Sequence, residues 1–178
     1  MPSCRGPCGR PESLNHLLQG CSLTHGPRVK RHDEVVRFLA RRFRHRQHTT
    51  VYREPIIPTE HTFIKPDLVV VCAVVATIVD VAVTSDGQLR TADAEKRRKY
   101  GASASIEAIK NFLRPDHGDL TIKQLPFVLT WRGVLPPSAF TSFRPLGLTR
   151  RDLHDIVWLV VRGSLATYNQ YFRSTFLA

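Results

Sequence analysis

Apolar residues recur at helical spacing in some parts of the chain and form short unbroken runs in others, which predicts a mixture of helices and strands. In residues 33–46 the apolar positions follow an acidic first turn at helical spacing, so this stretch predicts the first helix. Residues 49–54 are rich in β-branched side chains and are closed by prolines, which is typical of a strand that ends in a turn. Residues 67–72 and 77–83 are almost uniformly apolar and predict a hairpin of two strands buried on both faces.

The second half of the chain continues this mixture. A stretch rich in Ala, Glu and Lys, together with apolar positions in residues 106–112, predicts one helix that is interrupted near Gly101 and ends before Pro115. Three further elements follow, namely a strand at residues 125–131, a loop at 133–145 and a long final helix at 149–172. The predicted order is helix, three strands, helix, strand, helix, and the fold class is α/β.

The length of 178 residues fits one domain with a small module attached. Residues 1–27 are rich in Gly, Pro and Cys and are predicted to form that module, while residues 28–178 form the main domain. The chain carries 26 Lys and Arg against 15 Asp and Glu, and this formal charge of +11 favours a polyanionic partner, nucleic acid first. The apolar runs are far shorter than the roughly 20 residues that span a bilayer, so no membrane association is expected.

Three of the four cysteines lie in the first 21 residues, in the pattern Cys4-x3-Cys8-x7-His16-x4-Cys21. No apolar secretory signal precedes them, so we expect reduced thiols inside the cell rather than disulfides. Three thiolates and one imidazole satisfy tetrahedral Zn²⁺ without leftover ligands. Two alternatives stay open: His25 could replace His16, or the segment could hold ordinary thiols without a metal.

Two aspartates interrupt the apolar hairpin. If its turn is centred between Ala73 and Val74, the pairing register places Asp67 directly opposite Asp80 on one face of the sheet. Facing carboxylates repel each other unless one is protonated or a cation lies between them. A divalent ion such as Mg²⁺ or Mn²⁺ would supply that cation, since both prefer oxygen ligands. The alternative is that each aspartate ends a strand and is solvated or paired with a surface arginine.

Two lysines on the predicted helix after the hairpin could complete this site. Lys96 and Lys99 lie one helical turn apart, so either could stabilise charge on an attacked phosphate or orient a water molecule. The alternative for each is an ordinary solvated position on the helix. Tyr100 follows directly and could pack over the site or contact a nucleic-acid backbone.

These residues together resemble a known nuclease family. Lys65-Pro66-Asp67, then Asp80 and a helical lysine, is similar to the restriction-like endonuclease of site-specific non-LTR retrotransposons that insert into ribosomal RNA genes, a branch of the PD-(D/E)XK fold. The Cys/His pattern resembles the zinc knuckle that precedes this nuclease, and residues 24–33 resemble the joining segment. The resemblance covers nearly all of the chain from Cys4 to Tyr100.

The resemblance implies a restriction-endonuclease-like core and a metal-dependent DNA endonuclease. In such elements the nuclease is the carboxy-terminal part of a polyprotein that also carries an RNA-directed DNA polymerase, acts in the nucleus, and nicks double-stranded target DNA to prime reverse transcription. Element RNA is a second expected partner. Most relatives carry the lysine two residues after the second acid, where this chain has Ala82, so the resemblance favours Lys96 on the helix. Glu54 and Glu34 are candidates for a third acidic contact.

Several basic residues are candidates for contact with phosphates, which would give affinity without sequence choice. The predicted nucleic-acid contacts are Arg28, Lys30, Arg31, Arg41, Arg42, Arg44 and Tyr100. The alternative for the basic run is a solvated helix face. A non-catalytic nucleic-acid-binding module that keeps the knuckle and the basic surface is the rival to an enzyme. Trp131 and Trp158 are expected in the core because their neighbours are apolar.

Overall fold

A computed structural model of the protein describes residues 2–176 and shows a mixed α/β fold. The helices are α1 Leu14–Gln19, α2 His25–Arg44, α3 Leu89–Gly101, α4 Ser103–His117, α5 Ala139–Phe143 and α6 Arg150–Phe176. The strands are β1 Thr49–Arg53, β2 Ile57–Pro58, β3 Phe63–Ile64, β4 Leu68–Cys72, β5 Val75–Val79, β6 Val81–Thr84, β7 Thr121–Gln124 and β8 Phe127–Thr130. Single 3₁₀ turns lie at Ser22–Thr24 and Arg144–Leu146.

The central sheet has the strand order β1-β4-β5-β7, in which β1, β4 and β5 are antiparallel neighbours and β7 runs parallel to β5. Beyond it, β6 pairs in parallel with β8. Backbone hydrogen bonds from Leu125 to Ile78 (2.8 Å) and from Phe127 to Asp80 (2.9 Å) join the two parallel pairs. The strands β5 and β6 therefore follow one line, interrupted at Asp80.

The predicted hairpin register is confirmed. In the ladder of β4 and β5, Leu68 pairs with Val79 and Cys72 pairs with Val75, and the chain turns at Ala73 and Val74. Both strands are buried along almost their whole length because helices cover both faces of the sheet, as their uniformly apolar sequences predicted. Asp67 and Asp80 lie one position beyond the last pair of this ladder.

The core is divided between the two faces of the sheet. Leu68 and Val70 pack with residues of α2 and α6, whereas Val69 and Val71 pack with residues of α3 and α4. This alternation follows from the two-residue period of a strand. Asp80 lies on the α3 side because its neighbours Val79 and Val81 belong to the cluster on the opposite side.

The helix α2 begins at His25 rather than near Asp33, so the predicted boundary between residues 27 and 28 lies within it. The extra turns form because their side chains continue the buried stripe: Arg31 is 2% exposed and packs against α6. The helix after the hairpin is interrupted at Ala102, close to the predicted position, but it runs through Pro115 to His117. A proline in the last turn removes only one backbone hydrogen bond, near an end where the last carbonyls already lack partners within the helix.

Three further expectations were incomplete or wrong. Strand β7 was not predicted because three of its four residues are polar and its positions alternate between exposed and half-buried. The short helix α5 lies inside the predicted loop. Trp158 is 72% exposed on the outer face of α6, so its assignment to the core is wrong. Trp131 is half-buried.

None of the described helices combines the length and apolar character needed to cross a membrane.

Candidate active site and metal centre

Asp80 is the most enclosed acidic residue of the predicted site, with 3% of its surface exposed. Its Oδ1 atom accepts hydrogen bonds from the Tyr100 hydroxyl (3.0 Å) and from the Asp67 backbone N–H (3.3 Å). Its Oδ2 atom is buried, accepts no well-aligned hydrogen bond, and forms an ion pair with the Lys96 amine. The alternation of side chains from Val79 to Val81 thus directs this carboxylate towards α3, which carries Lys96.

Asp67 is held from two other directions. Its Oδ2 atom accepts a hydrogen bond from the backbone N–H of Val81 (2.7 Å) and lies 3.2 Å from His32 Nε2 on α2. The other ring nitrogen of His32 lies 3.1 Å from Asp33 Oδ1. The two aspartates are therefore adjacent through the backbone, as the register predicted. Their carboxylates do not face each other alone as expected, because Asp67 contacts His32 on α2 and Asp80 contacts Lys96 on α3, and these helices cover opposite faces of the sheet.

The charge of His32 follows from these contacts. Burial lowers its pKa, but the hydrogen bond and negative charge of Asp67, reinforced by Asp33, outweigh that effect and raise the pKa to about 9. His32 is then protonated at neutral pH. His32 and Lys96 together balance the two carboxylates, so neither the predicted metal ion nor the alternative surface arginine is needed to explain how Asp67 and Asp80 tolerate each other.

Tyr100 packs over the site and does not face solvent. It is 1% exposed, and its hydroxyl contacts Asp80 Oδ1 and the backbone oxygen of Lys65 (3.1 Å). Burial, followed by the charge of Asp80, raises its pKa, so the hydroxyl keeps its proton. The prediction that Tyr100 contacts nucleic acid is wrong, because the ring is enclosed between the sheet and the helices on that face.

The structure separates the two candidate lysines. Lys96 is half-buried and reaches Asp80, whereas Lys99 is exposed and its amine lies 4.7 Å from the centroid of the Tyr100 ring. Glu54 pairs with Lys65 (2.9 Å), and Glu34 lies 3.7 Å from Arg162. Within residues 2–176, neither glutamate forms a group of three or more closely spaced metal-ligand atoms with the two aspartates.

The first three cysteines and His16 do form such a group. The ligand atoms of Cys4, Cys8, His16 and Cys21 all lie within 4.8 Å of one another. The Cys4 and Cys21 sulfurs are 3.8 Å apart, and Cys8 Sγ lies 3.1 Å from His16 Nε2. A tetrahedral Zn²⁺ with Zn–S bonds of about 2.3 Å holds its sulfurs roughly 3.8 Å apart, so the cluster has the ligands and spacing to bind zinc.

Local sequence features bring these ligands together. Ser13 caps α1 by accepting a hydrogen bond from the His16 backbone N–H (3.1 Å), which orients the turn that carries His16. Gly9 has a φ of 62° in the turn after Cys8, a conformation that glycine adopts without strain. His25 is exposed at the start of α2 and lies outside the cluster.

Three of the predicted phosphate contacts are engaged within the protein. Arg31 is buried and donates hydrogen bonds to Ser164 Oγ (2.8 Å) and the Leu18 carbonyl (3.2 Å), so its prediction as a nucleic-acid contact is wrong. Arg28 is half-buried and donates to the carbonyls of Gln19 and Cys21, at the end of the N-terminal segment (residues 2–24) that carries the Cys/His cluster. Both arginines are held there because α2 extends through the predicted linker.

Arg42 forms a two-point ion pair with Asp152, through Nε (2.7 Å) and Nη2 (3.0 Å). Burial raises the pKa of Asp152, but hydrogen bonds from Thr149 and Arg42 outweigh this and lower it. The Arg42–Asp152 ion pair links α2 to the start of α6. Lys30, Arg41 and Arg44 are exposed on α2, so their contact with nucleic acid stays a prediction.

His32 is the site residue that the sequence predictions missed. The apolar stripe of α2 includes Val35, Val36, Leu39 and Phe43, and His32 lies one turn before it on the same face. Extending the stripe backwards by one turn would have identified His32 as a partly buried histidine that faces the sheet.

Comparisons with known proteins add homologues to this geometry. No protein-family model matches the chain. The chain is 31% identical to the retrovirus-related Pol polyprotein from the type-2 retrotransposable element R2DM of Drosophila melanogaster, over an alignment of 180 positions that covers 94% of the chain. It is 26% identical over 174 residues, 97% of its length, to the Pol polyprotein from the type-1 element R2 of Nasonia vitripennis.

A Pol polyprotein from the type-1 element R2 of Popillia japonica is 34% identical over 144 residues, 75% of the chain. The chain spans only 16%, 17% and 22% of the Drosophila, Nasonia and Popillia polyproteins. The homologues of this chain are therefore Pol polyproteins of R2 retrotransposons, which is consistent with a fragment of an R2 polyprotein.

Proposed function

We propose that this chain is the DNA endonuclease segment of an R2-type retrotransposon polyprotein. It nicks double-stranded target DNA, and the nick primes reverse transcription by a polymerase elsewhere in the polyprotein. The observation that carries the proposal is the buried Oδ2 atom of Asp80, which faces the Lys96 amine without a well-aligned hydrogen bond while Asp67 lies beside it. Buried carboxylates with neighbouring cations are common at catalytic sites.

The two aspartates have the donor chemistry to hold Mg²⁺ or Mn²⁺, because carboxylate oxygens are the ligands that these ions prefer. A bound ion of this kind supplies a Lewis acid and lowers the pKa of a coordinated water. The Tyr100 hydroxyl and the Asp67 backbone N–H fix Oδ1 of Asp80, which leaves Oδ2 to face a cation. The backbone N–H of Val81 fixes Asp67 in the same manner.

Lys96 has two roles in this proposal. It neutralises Asp80 before substrate binds, and its amine then faces the charge that develops on the attacked phosphate. Lys99 contacts the Tyr100 ring instead of a carboxylate, so it supports the position of that ring and takes no part in the chemistry.

The proposed partners are double-stranded target DNA and element RNA, and the proposed location is the nucleus. The formal charge of +11 supports binding to a polyanion, and the exposed side chains of Lys30, Arg41 and Arg44 are the proposed phosphate contacts on α2. Contacts of this kind add affinity but do not select a sequence.

A nicking assay tests the proposal. Zinc-loaded protein is incubated with supercoiled plasmid that carries ribosomal RNA gene sequence, with or without added Mg²⁺. Omitting Mg²⁺ is preferable to adding a chelator, which would also strip zinc from the Cys/His cluster. We expect open-circle product only with Mg²⁺, none with Asp80→Asn, and wild-type product with Asp86→Asn, whose carboxylate is exposed and paired with Arg132. Equal nicking without Mg²⁺, or by Asp80→Asn, would contradict the proposal.

A second candidate function is a non-catalytic nucleic-acid-binding module. The observation that favours it is that His32 and Lys96 already neutralise the two aspartates, so the fold needs no divalent ion there. This module would bind the same DNA in the same salt-dependent way but would leave it uncut in the nicking assay.

A further inference from the structure

The Cys/His cluster is closed by a tyrosine from the opposite end of the chain. Tyr171 lies near the end of α6 and is 0% exposed, and it packs in one apolar cluster with Cys4, Leu17 and Cys21. Its hydroxyl lies 3.2 Å from Cys4 Sγ, 3.0 Å from the Arg5 backbone nitrogen and 2.6 Å from Glu12 Oε2. The buried Tyr171 hydroxyl thus contacts Cys4, which is one of the four candidate zinc ligands, and also Arg5 and Glu12 in the segment that carries these ligands.

The groups around this hydroxyl determine which acceptor can receive its one donated hydrogen bond. The Arg5 backbone N–H is a donor, so the phenol oxygen accepts from it. Glu12 and Cys4 are the two possible acceptors, and Glu12 also accepts hydrogen bonds from the Arg5 backbone N–H (3.1 Å) and Nε (3.0 Å). Glu12 therefore stays satisfied when the phenol proton turns away from it.

Zinc binding turns the Cys4 sulfur into a hydrogen-bond acceptor for the Tyr171 hydroxyl proton. A cysteine binds zinc as a thiolate, which accepts hydrogen bonds but cannot donate one. Besides Tyr171, the groups within residues 2–176 that can donate to Cys4 Sγ are the Gly6 backbone N–H at 3.4 Å and the Cys21 thiol at 3.8 Å, and Cys21 also loses its proton when it binds zinc. The Tyr171 hydroxyl is closer and lies in the buried interior, where a hydrogen bond to an anion is strongest.

We propose that Tyr171 is a positioning residue of the zinc site, which donates a hydrogen bond to the Cys4 thiolate when zinc is bound. Zinc affinity then depends on the docking of α6, and the order of the last turns of α6 depends on zinc. The Arg5 guanidinium strengthens this coupling, since it lies 5.0 Å from the ring centroid of Phe172 and 3.9 Å from that of Phe176. This inference does not rest on the proposed nuclease activity.

Cobalt titration of the full chain tests it, because Co²⁺ bound by thiolates absorbs light and reports both affinity and the state of the sulfurs. We expect Tyr171→Phe to weaken Co²⁺ binding about 10-fold, the lower end of the effect of losing a hydrogen bond to a metal ligand. The sulfur-to-cobalt charge-transfer band should move to longer wavelength, because the sulfur loses a donor that stabilises its lone pairs. Tyr168→Phe is the matched control, one turn away and 37% exposed, and should change neither quantity.

Glu12→Gln provides a second variant that keeps Tyr171 in place. It removes the competing carboxylate, so we expect Co²⁺ binding that is unchanged or tighter and a band that stays or moves to shorter wavelength. Wild-type affinity and an unmoved band in Tyr171→Phe would overturn the proposal. Equal weakening in Tyr171→Phe and Glu12→Gln without a band shift would also overturn it, because that result reports lost packing and not a lost hydrogen bond to sulfur.

Discussion

At the scale of single residues, the site is governed by which cation reaches which carboxylate. Asp80 meets Lys96 from α3, and Asp67 meets His32 from α2. The spacing of the two aspartates was predictable from strand periodicity, because their register follows from the hairpin turn. Their partners were not, because both come from helices whose rotation about their own axes is set by packing.

The contrast between Lys96 and Lys99 gives the first prediction. Replacing Lys96 by Met leaves Asp80 buried without its cation and removes the amine from the site, so we expect the nicking rate to fall roughly 100-fold or more. Replacing Lys99 by Met removes only a contact with the Tyr100 ring and should change the rate by less than about 3-fold. Single-turnover nicking with each variant measures both effects. Equal losses would contradict the assignment of Lys96.

A pH dependence follows from His32. Its pKa is raised to about 9 in the folded protein from an ordinary value of 6.5, so protonation stabilises the fold fully below pH 6.5, and this contribution is lost as the pH rises through 9. We expect a contribution on the order of 1–2 kcal/mol after solvent screening. His32→Gln removes the titration. Urea unfolding of both proteins with zinc present should show a difference in unfolding free energy that shrinks between pH 6.5 and 9.5. A difference that stays constant with pH would contradict this assignment.

At the scale of secondary-structure elements, the packing of α2 against α6 joins the N-terminal segment that carries the Cys/His cluster to the main fold. Gly163 on α6 makes room for Arg31, because a Cβ atom there would lie 2.7 Å from Arg31 Cγ and 2.9 Å from its Cβ. Ser164 continues the connection by donating a hydrogen bond to the Trp131 carbonyl (2.8 Å). The arginine expected to bind nucleic acid is thus a structural link between helices.

Gly163→Ala tests this contact between helices. The added methyl group must displace the buried stem of Arg31, so we expect the unfolding free energy to fall by about 1–3 kcal/mol despite the better helix propensity of Ala. Gly26→Ala in α2 is the matched control, because a Cβ there has no neighbour within 4 Å. It should be neutral or stabilising by up to about 1 kcal/mol. Thermal or urea unfolding distinguishes the two variants, and equal changes would contradict the close contact.

The elements differ in how well the sequence predicted them, and burial explains the difference. β4 and β5 were predictable because both faces are covered and their sequences are therefore apolar at every position except Thr77. β7 was not, since its pairing with β5 is made by the backbone of a segment in which Ile122 is the one apolar residue. The start of α2 was missed because its first turns bury Arg31 and half-bury Arg28, and charged residues at these positions interrupt the apolar pattern that predicts a helix.

At the scale of the whole molecule, the protein carries more cationic side chains than its internal ion pairs engage. The exposed cations of α2 lie on one side of the sheet, and α4 lies on the other. The basic composition predicted a polyanionic partner, but composition could not separate arginines that face solvent from those that hold helices together. That separation depends on the tertiary packing of α2 between the N-terminal Cys/His segment and α6.

This division predicts the salt dependence of DNA binding. Lys30, Arg41 and Arg44 are exposed, and each phosphate contact that is removed should lower the slope of log affinity against log salt by about 1. Arg41→Gln should therefore reduce the slope, whereas Arg114→Gln on α4 should not, although Arg114 is also exposed. Fluorescence anisotropy with a short duplex over a range of salt concentrations measures the slopes. An equal change in both variants would mean that α2 is not the binding face.

The proposed function requires that Asp67 and Asp80 bind a divalent cation, and calorimetric titration of Mn²⁺ into the zinc-loaded protein detects such binding. We expect a Mn²⁺ site in the wild type that persists in Asp86→Asn and is lost in both Asp67→Asn and Asp80→Asn. Wild-type Mn²⁺ binding by Asp67→Asn and Asp80→Asn would contradict the proposed function.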